Sequence, residues 1–303
     1  MVVTPGEKTL AQGTIRRRSW RYSSLGRFVS NPSAVFGGVV LAVLVLAALA
    51  APLLAPSSPN KTDLLRRNTP PAWSAKGSGE HILGTDPVGR DLLSRIIYGA
   101  RVSLGIGLSV TLLAAAIGVL LGLLAGYYGG WIDQVVMRVA DLFLAFPFIL
   151  LAITIIAVLG AGLVNLIATL VITSWVGYAR LVRGEVFTVR ERQYVDAARV
   201  AGAGSGRILL RHILPNVLAS VIVVGTLQVG FVILAEAALS FLGLGLNPSI
   251  PDWGTMVSDG RLYIYTAWWV ITFPGIAIML TVLSINMLGD WLRDVLDPTL
   301  RIA

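Results

Sequence analysis

The stretch from residue 142 to residue 179 carries no charged side chain across 38 residues. As one helix it would be about 57 Å long at about 1.5 Å per residue, nearly twice the roughly 30 Å hydrocarbon core of a bilayer. The chain must therefore cross a membrane, turn and return. Gly160 and Gly162 predict the turn, because closely spaced glycines weaken a helix and accept turn geometry.

Composition supports a membrane protein throughout. Of the 303 residues 55% are hydrophobic and 13% charged, and the mean hydropathy is +0.78, whereas soluble domains carry roughly 25% charged residues. Spanning-length apolar stretches predict an all-α polytopic membrane protein with six transmembrane helices. These stretches are 35–54, 102–126, 139–159, 161–178, 217–242 and 266–288.

The distribution of arginine and lysine predicts the orientation, because these residues concentrate in cytoplasmic segments. Residues 1–34 hold six of them and residues 180–216 hold seven, while Arg293 and Arg301 lie in the tail. An even number of spans puts these three segments on one side, which we expect to be the cytoplasm. Residues 57–101 hold seven more yet fall on the outer side, so one segment disagrees with three.

The predicted organisation follows from these spans. It comprises a cytoplasmic basic segment (1–34), a first span (35–56), an external loop with an amphipathic helix (57–101), a five-helix core (102–290) that includes a cytoplasmic loop (180–216), and a cytoplasmic tail (291–303). A cleaved signal peptide is disfavoured, because more than thirty residues precede the first apolar run and a signal has only a short basic region.

Several classes of function are disfavoured by what the sequence lacks. It has no cysteine and only two histidines, His81 and His212, so thiolate metal sites and most histidine-based catalysis are excluded and no metal site is expected. No phosphate-binding G-x-x-x-x-G-K-[ST] motif occurs. The basic residues flank apolar segments instead of forming a stripe on a soluble domain, which argues against nucleic-acid binding.

The 180–216 loop holds the most informative motif. A short helix is expected to begin at Asp196, and Gly202 is expected to end it, because glycine readily adopts the conformation that terminates a helix. The small side chains of Ala197 and Ala198 would let another surface approach closely. A second helix is predicted from Ser205, as its cap, with a turn into the next span at Pro215. The full set of candidate contact residues is Tyr194, Asp196, Ala197, Ala198, Gly202, Ile213, Leu214 and Pro215. The alternative is an amphipathic helix lying on lipid.

This motif resembles the EAA loop of permease subunits in binding-protein-dependent ABC importers. Asp196 stands in place of the usual Glu, and His212 stands where an isoleucine is usual, with Ile213 as the nearest match. Further stretches resemble the second permease subunit of bacterial dipeptide importers: PAW at 71–73, LGTDPVGRDLLSR at 83–95, YGAR at 98–101, AGYYGG at 125–130, WGTM at 253–256 and LDP at 296–298. Importers of oligopeptides, nickel, haem and glutathione remain alternatives.

The resemblance implies a type I ABC importer permease fold in a bacterial inner membrane, paired with a homologous permease. It also implies two ATPase subunits that hold ATP and Mg²⁺, an external substrate-binding protein, and no cofactor or catalytic residue in this chain. The loop would be the coupling helix seated on an ATPase. The rival hypothesis, an ion-coupled secondary transporter or channel, would require several ionisable groups near the bilayer midplane, and Glu236 alone offers itself.

Glu236 is costly in lipid, so it is expected to face protein or water. Two roles are open: contact with the substrate or a gate, and a static bond with a partner permease. By resemblance, the loop around Trp253 faces the substrate-binding protein, and Trp253 is the candidate contact.

Four local features complete the expectations. Asp86 caps an amphipathic surface helix with pairs Asp86–Arg90 and Asp91–Arg95. Ala114, Gly118, Gly122 and Gly126 form a packing stripe. Arg138 pairs with Asp141 three residues on, and Pro147 kinks its span.

Overall fold

The computed structural model describes residues 24–296, so Arg301 and the arginines before residue 24 lie outside the described part. Its helices are α1 Ser24–Val29, α2 Pro32–Leu49, α3 Ala51–Leu54, α4 Leu92–Tyr128, α5 Gly130–Leu144, α6 Phe148–Leu159, α7 Leu163–Val189, α8 Gln193–Val200, α9 Ser205–Ile208, α10 Leu214–Phe241, α11 Trp253–Gly260 and α12 Trp269–Leu296. Short 3₁₀ turns occur at Leu64–Arg66 and Arg261–Tyr263, and a π turn at Leu209–Ile213.

Within residues 24–296, five helices are long and apolar enough to cross a membrane, and α5 with α6 makes a sixth span when this bent pair is counted as one. The predicted number of six is reached in this way. The glycine turn is confirmed, since α6 ends at Leu159 and α7 begins at Leu163. Gly160 and Gly162 adopt φ values of 85° and 143°, which residues with a Cβ rarely adopt.

The predicted third span, 139–159, is broken. The axes of α5 and α6 meet at 94°, and the break lies at residues 145–147, immediately before α6. Proline has no N–H to donate and disfavours helical backbone in the residue before it, so α5 ends three residues before Pro147. The prediction of a kink at Pro147 is confirmed, and the change of direction is close to a right angle.

Helices α4 and α7 pack closely along the predicted small-residue stripe. A Cβ added at Gly118 would lie 2.5 Å from the Trp175 carbonyl oxygen, and one at Gly126 would lie 2.7 Å from the Val186 Cβ. Ordinary contacts between carbon atoms need about 3.5–4.0 Å. The two backbones therefore approach because these positions have no side chain, which confirms the stripe as a packing face.

The bundle has two distinct ends. Residues 189–204, with α8, define the loop end, where the close Gly126–Val186 contact lies. Helix α11 defines the far end, where the Trp269 indole donates to the Thr85 carbonyl oxygen at 3.1 Å. Helix α12 runs antiparallel to α10, which begins at the loop end, with Gly289 against Thr226 and Gly230 against Val282. It also runs antiparallel to α2, with Phe28 against Trp291 and Gly37 against Ser284. The start of α2 and the end of α12 therefore lie at the loop end.

The expected surface helix capped by Asp86 does not form. The Asp86 carboxylate accepts instead from the N–H groups of Val88 and Arg90, at 3.0 and 2.9 Å, and so closes a turn. Gly89 in this turn has φ 79°, outside the helical range. The helix begins at Leu92 and continues without a break into the predicted second span, which therefore starts ten residues earlier than the sequence indicated.

Candidate functional site

Helix α8 is anchored to the bundle by one apolar side chain. Val195 is fully buried and packs in a cluster that includes Val186, Ile208 and Ile213. Burying a valine side chain stabilises by about 1.5–3 kcal/mol. Val195 therefore holds α8 against the loop end, while most of its neighbours remain free to contact another surface.

The exposed face of α8 is short and small. Tyr194 is exposed, Ala197 is exposed, and Ala198 is half-buried. Asp196 and Arg199 are both exposed and form an ion pair at 3.0 Å, which is of the surface kind that contributes about 0–1 kcal/mol. These residues present a flat surface with one acid and one base at the end of the bundle.

Gly202 ends α8 as the sequence predicted. Its φ is 81°, its N–H donates to the Arg199 carbonyl oxygen at 2.9 Å, and the Ala203 N–H donates to the Ala198 carbonyl oxygen at 3.0 Å. This pair of bonds is a Schellman motif, which satisfies carbonyl groups at a helix end. No heavy atom within residues 24–296 lies within 4 Å of a Cβ built at Gly202, so only the backbone conformation requires glycine there.

The three remaining candidate residues of the loop differ in how exposed they are. Ile213 is fully buried in the protein's own core, Leu214 is half-buried, and Pro215 is exposed. Ile213 therefore serves the fold and offers no surface to a partner.

Two predictions in this segment are wrong. Gly204, and not Ser205, occupies the cap position of α9, and there is no turn at Pro215. The helix passes through a π turn, in which the Leu214 N–H donates to the Leu209 carbonyl oxygen, and continues into α10. A proline ring clashes with the carbonyl group four residues earlier, and we infer that the wider turn relieves that clash.

Ion pairs join α5 to α7 near the loop end. Asp141 pairs with Arg180 at 2.5 Å, and Asp133 pairs with Arg183 through both carboxylate oxygens. The predicted Arg138–Asp141 pair is wrong, because Asp141 is turned toward α7. Within residues 24–296 Arg138 forms no ion pair. Arg138 lines an open concavity of about 250 Å³ with these acids.

At the far end, α11 is inserted among the spanning helices. Trp253 is fully buried, and its indole donates to the Ile96 carbonyl oxygen at 3.0 Å. A Cβ at Gly99 would lie 2.9 Å from the Trp253 ring. The prediction that Trp253 contacts an external protein is therefore wrong for this conformation, because the indole fills a space between α4 and α11 and presents no surface.

Glu236 lies beside the inserted helix. It is 1% exposed, and its Oε1 accepts a hydrogen bond from the Ser240 hydroxyl at 2.7 Å. A Cβ at Gly254 would lie 2.8 Å from the same oxygen, so the α11 backbone lies directly against the carboxyl group. Glu236 faces protein, as expected for an acid within a span.

The sequence did not reveal a polar network that joins the segment before α4 to the segment before α11 at the far end of the bundle. Arg90 pairs with Asp86 at 2.5 Å, as predicted, and also donates to the Pro248 carbonyl oxygen at 3.0 Å. Arg95 is 1% exposed and donates to the carbonyl oxygens of Pro59 and Pro248 at 3.3 and 3.4 Å.

Asp91, expected to pair with Arg95, instead caps α4 by accepting from Ser94 and contacts His81 at 2.9 Å. The dense Asp and Arg pattern of 83–95 signalled a polar cluster, but one of its partners, the Pro248 carbonyl oxygen, lies more than 150 positions away in the chain.

Two family models match the chain. "Binding-protein-dependent transport system inner membrane component" matches residues 118–302, which is more than half of the chain. "N-terminal TM domain of oligopeptide transport permease C" matches residues 15–71. The chain belongs to the binding-protein-dependent transport permease family. The two matches together include all of the 180–216 loop and residues 57–71 of the 57–101 loop of this permease.

Curated relatives agree with this assignment. The permease is 47% identical over 276 residues to a di/tripeptide transport system permease protein of Pseudomonas aeruginosa, covering 91% of each chain. It is 45% identical to a dipeptide transport system permease protein of Alkalihalophilus pseudofirmus, covering 93% of this chain and 90% of that one. A glutathione transport system permease protein of Pectobacterium atrosepticum is 43% identical, with coverages of 94% and 91%.

The fold is that of a type I ABC importer permease. A chain of the MetNI methionine ABC transporter, solved in inward-facing conformations, matches with a TM-score of 0.53 at 20% identity. The match covers 67% of this permease and 97% of that chain. At this identity the likeness concerns the fold alone.

Proposed function

We propose that this permease is one of two homologous membrane subunits of an ATP-driven importer for di- and oligopeptides. The names of its relatives support short peptides as the substrate class, because they include di/tripeptide, dipeptide and glutathione transporters, and glutathione is itself a tripeptide. An external substrate-binding protein delivers the peptide, and two separate ATPase subunits supply the work. The chain itself is not an enzyme.

The geometry of α8 carries the mechanism. Its exposed face is made of small side chains, and Val195 ties that face rigidly to the core formed by α7 and α10. A movement of an ATPase surface against α8 is therefore transmitted to the spanning helices, and is not absorbed by a mobile loop. Closure of the ATPases on ATP would favour one of two arrangements of the paired permeases, and hydrolysis would reset it.

ATP and Mg²⁺ belong to the partner subunits in this proposal. The chain has three lysines, Lys8, Lys61 and Lys76, and none lies in a phosphate-binding glycine motif. What this permease supplies is the docking surface of α8 and half of the pathway between two membrane sides.

The orientation follows from the same assignment. The loop end faces the cytoplasm of a bacterial cell, with both termini, and the far end faces outward, toward the binding protein. Because the sequence contains no cysteine, one introduced cysteine gives an unambiguous test. A membrane-impermeant maleimide added to intact inner-membrane vesicles of known orientation should label Ser205→Cys from the cytoplasmic side and Ser78→Cys from the other; the reverse pattern refutes the orientation.

The substitution Ala197→Arg tests the coupling role. An arginine on this flat surface would place an unpaired charge in the docking interface, at a cost of about 2–5 kcal/mol, which lowers association by roughly thirtyfold or more. We expect ATP-dependent peptide uptake in proteoliposomes to fall accordingly, with the chain still inserted in the membrane. Leu65→Arg is the matched control, because Leu65 is 98% exposed at the far end.

Two results would contradict the proposal. Normal uptake and normal ATPase association in Ala197→Arg would remove α8 from the docking surface. Uptake that continues without ATP and stops when an ion gradient is collapsed would favour the secondary transporter.

A further inference from the structure

Two buried carboxyl groups meet where α11 enters the bundle. Glu236 on α10 is 1% exposed and Asp252, immediately before α11, is fully buried. A Cβ at Gly254, two residues after Asp252, would lie 2.8 Å from Glu236 Oε1, so the start of α11 brings the two acids into one buried contact region. Two carboxylates this close in a buried site repel one another, so one of them must retain a proton or the arrangement would not persist.

The hydrogen bonds distinguish the two acids. Both Asp252 oxygens accept bonds from Thr255, one from its N–H at 2.9 Å and one from its hydroxyl at 2.7 Å. Glu236 Oε1 accepts from the Ser240 hydroxyl, but within the described residues Glu236 Oε2 is buried and has no hydrogen-bond partner. A buried carboxyl oxygen without a partner costs about 1–3 kcal/mol. A proton on Oε2 would remove this cost by giving it a bond to donate.

The surrounding charges favour the same assignment. Arg90 and Arg95 donate to the Pro248 carbonyl oxygen, at 3.0 and 3.4 Å, and so place two cations in the loop that leads to Asp252. Cations near a carboxyl group stabilise its ionised form. Within residues 24–296 Glu236 forms no ion pair, and the part of α12 that packs beside α11, Trp269 to Pro274, carries no charged residue.

We propose that Glu236 is protonated and donates a hydrogen bond from Oε2 to the ionised Asp252, and that this bond fastens α11 between α4, α10 and α12. The fold orients both carboxyl groups of this bond. Ser240 orients the Glu236 carboxyl group, Thr255 orients that of Asp252, and Gly254 lets the α11 backbone approach. Glu236 is then a positioning residue that holds α11 in place at the far end of the bundle. Loss of its proton would break the bond to Asp252.

A cysteine reporter tests the proposal in the detergent-solubilised transporter with all its subunits. Met256 is 2% exposed within α11, so in Met256→Cys the thiol should react with a maleimide only when α11 moves outward. Adding Glu236→Ala should increase the labelling rate about tenfold or more, as expected for loss of a hydrogen bond to a charged group. Adding Glu236→Gln should leave the rate near that of the reporter alone, because the glutamine amide also donates. Thr226→Ala is the matched control and should label like the reporter alone, since it removes an α10 hydroxyl that donates within its own helix, to the Val223 carbonyl oxygen.

Two outcomes overturn the proposal. If Glu236→Gln labels as fast as Glu236→Ala, the site needs an ionised glutamate and not a donor. If Glu236→Ala labels as slowly as the reporter alone, the pair does not fasten α11.

An infrared measurement on the unmodified complex is independent of the reporter. A carbonyl band of a protonated carboxylic acid should be present in the wild type and absent in Glu236→Gln, while it remains in Asp259→Asn. Absence of that difference refutes the protonated state. Neither readout requires peptide transport, so both can fail or succeed separately from the proposed function.

Discussion

The α4–α7 contact permits a matched test of packing within one helix. At Gly118 a Cβ would lie 2.5 Å from both the Trp175 carbonyl oxygen and the Tyr178 Cβ, whereas at Gly105, also on α4, nothing in the described chain lies within 4 Å. Alanine at Gly118 must therefore push the two helices apart by about 1 Å to reach normal contact distances. The same substitution at Gly105 meets open space.

The expected free-energy changes have opposite signs. Overpacking costs typically about 1–3 kcal/mol. The atom that a Cβ at Gly118 would meet, the Trp175 carbonyl oxygen, belongs to the backbone and cannot move aside as the tip of a flexible side chain does. Replacing an unconstrained helical glycine by alanine stabilises by about 0.5–1 kcal/mol. The two variants should therefore differ by roughly 2–4 kcal/mol.

The assay is the loss of folded permease in detergent on heating, measured for the wild type, Gly105→Ala and Gly118→Ala at one heating rate, since unfolding of such proteins is often irreversible. We expect Gly118→Ala to be lost at a lower temperature than the wild type, and Gly105→Ala at an equal or higher one. Equal behaviour of the two variants would show that the close approach of α4 and α7 does not exist in the protein, and the packing argument would fall.

Three further predictions concern single polar groups. Asp91→Ala should destabilise the start of α4 by about 1 kcal/mol through loss of the cap to Ser94, measured by thermal inactivation, with Asp91→Asn retaining most of the stability; an equal loss in both variants would contradict capping. Burial raises the pKa of Asp259, so the protonated form is favoured in the folded state. The contribution of Asp259 to stability therefore falls as the pH rises from the ordinary pKa of an aspartate through the raised pKa. Asp259→Asn should flatten the pH dependence of stability in that acidic range, and an unchanged profile would refute this prediction. Arg183→Lys should reduce stability despite the retained charge, because lysine cannot bond both oxygens of Asp133; a lysine variant as stable as the wild type would show that the two-point contact contributes nothing.

Much of the fold could be predicted from local sequence. The length needed to span a membrane follows from the rise of about 1.5 Å per helical residue. The turn at Gly160 and Gly162 and the small-residue stripe on α4 follow from the absence of a Cβ, and both properties act within a few residues. Gly202 was predictable for the same reason, since one left-handed residue ends α8. For the candidate site, the exposed face of α8 also followed from its alanines.

Some of the predictions that failed required contacts between distant segments. Asp141 pairs with Arg180 and not with Arg138, three residues away, because the 94° break before α6 turns α5 against α7. Spacing along one helix predicts which side chains of that helix are neighbours. It does not predict whether a residue on another helix will bind one of them instead.

The sequence by itself determined that this chain has apolar segments for up to six membrane spans and that α8 ends at Gly202, because apolar length and backbone conformation are local properties. Only the tertiary structure decided that Trp253 is buried, that Ile213 belongs to the core, and that Glu236 lies against the backbone of α11. Those outcomes depend on which surfaces pack together around α11 and the loop end. The burial and the electrostatic environment of each side chain there are set by residues that lie far apart in the chain.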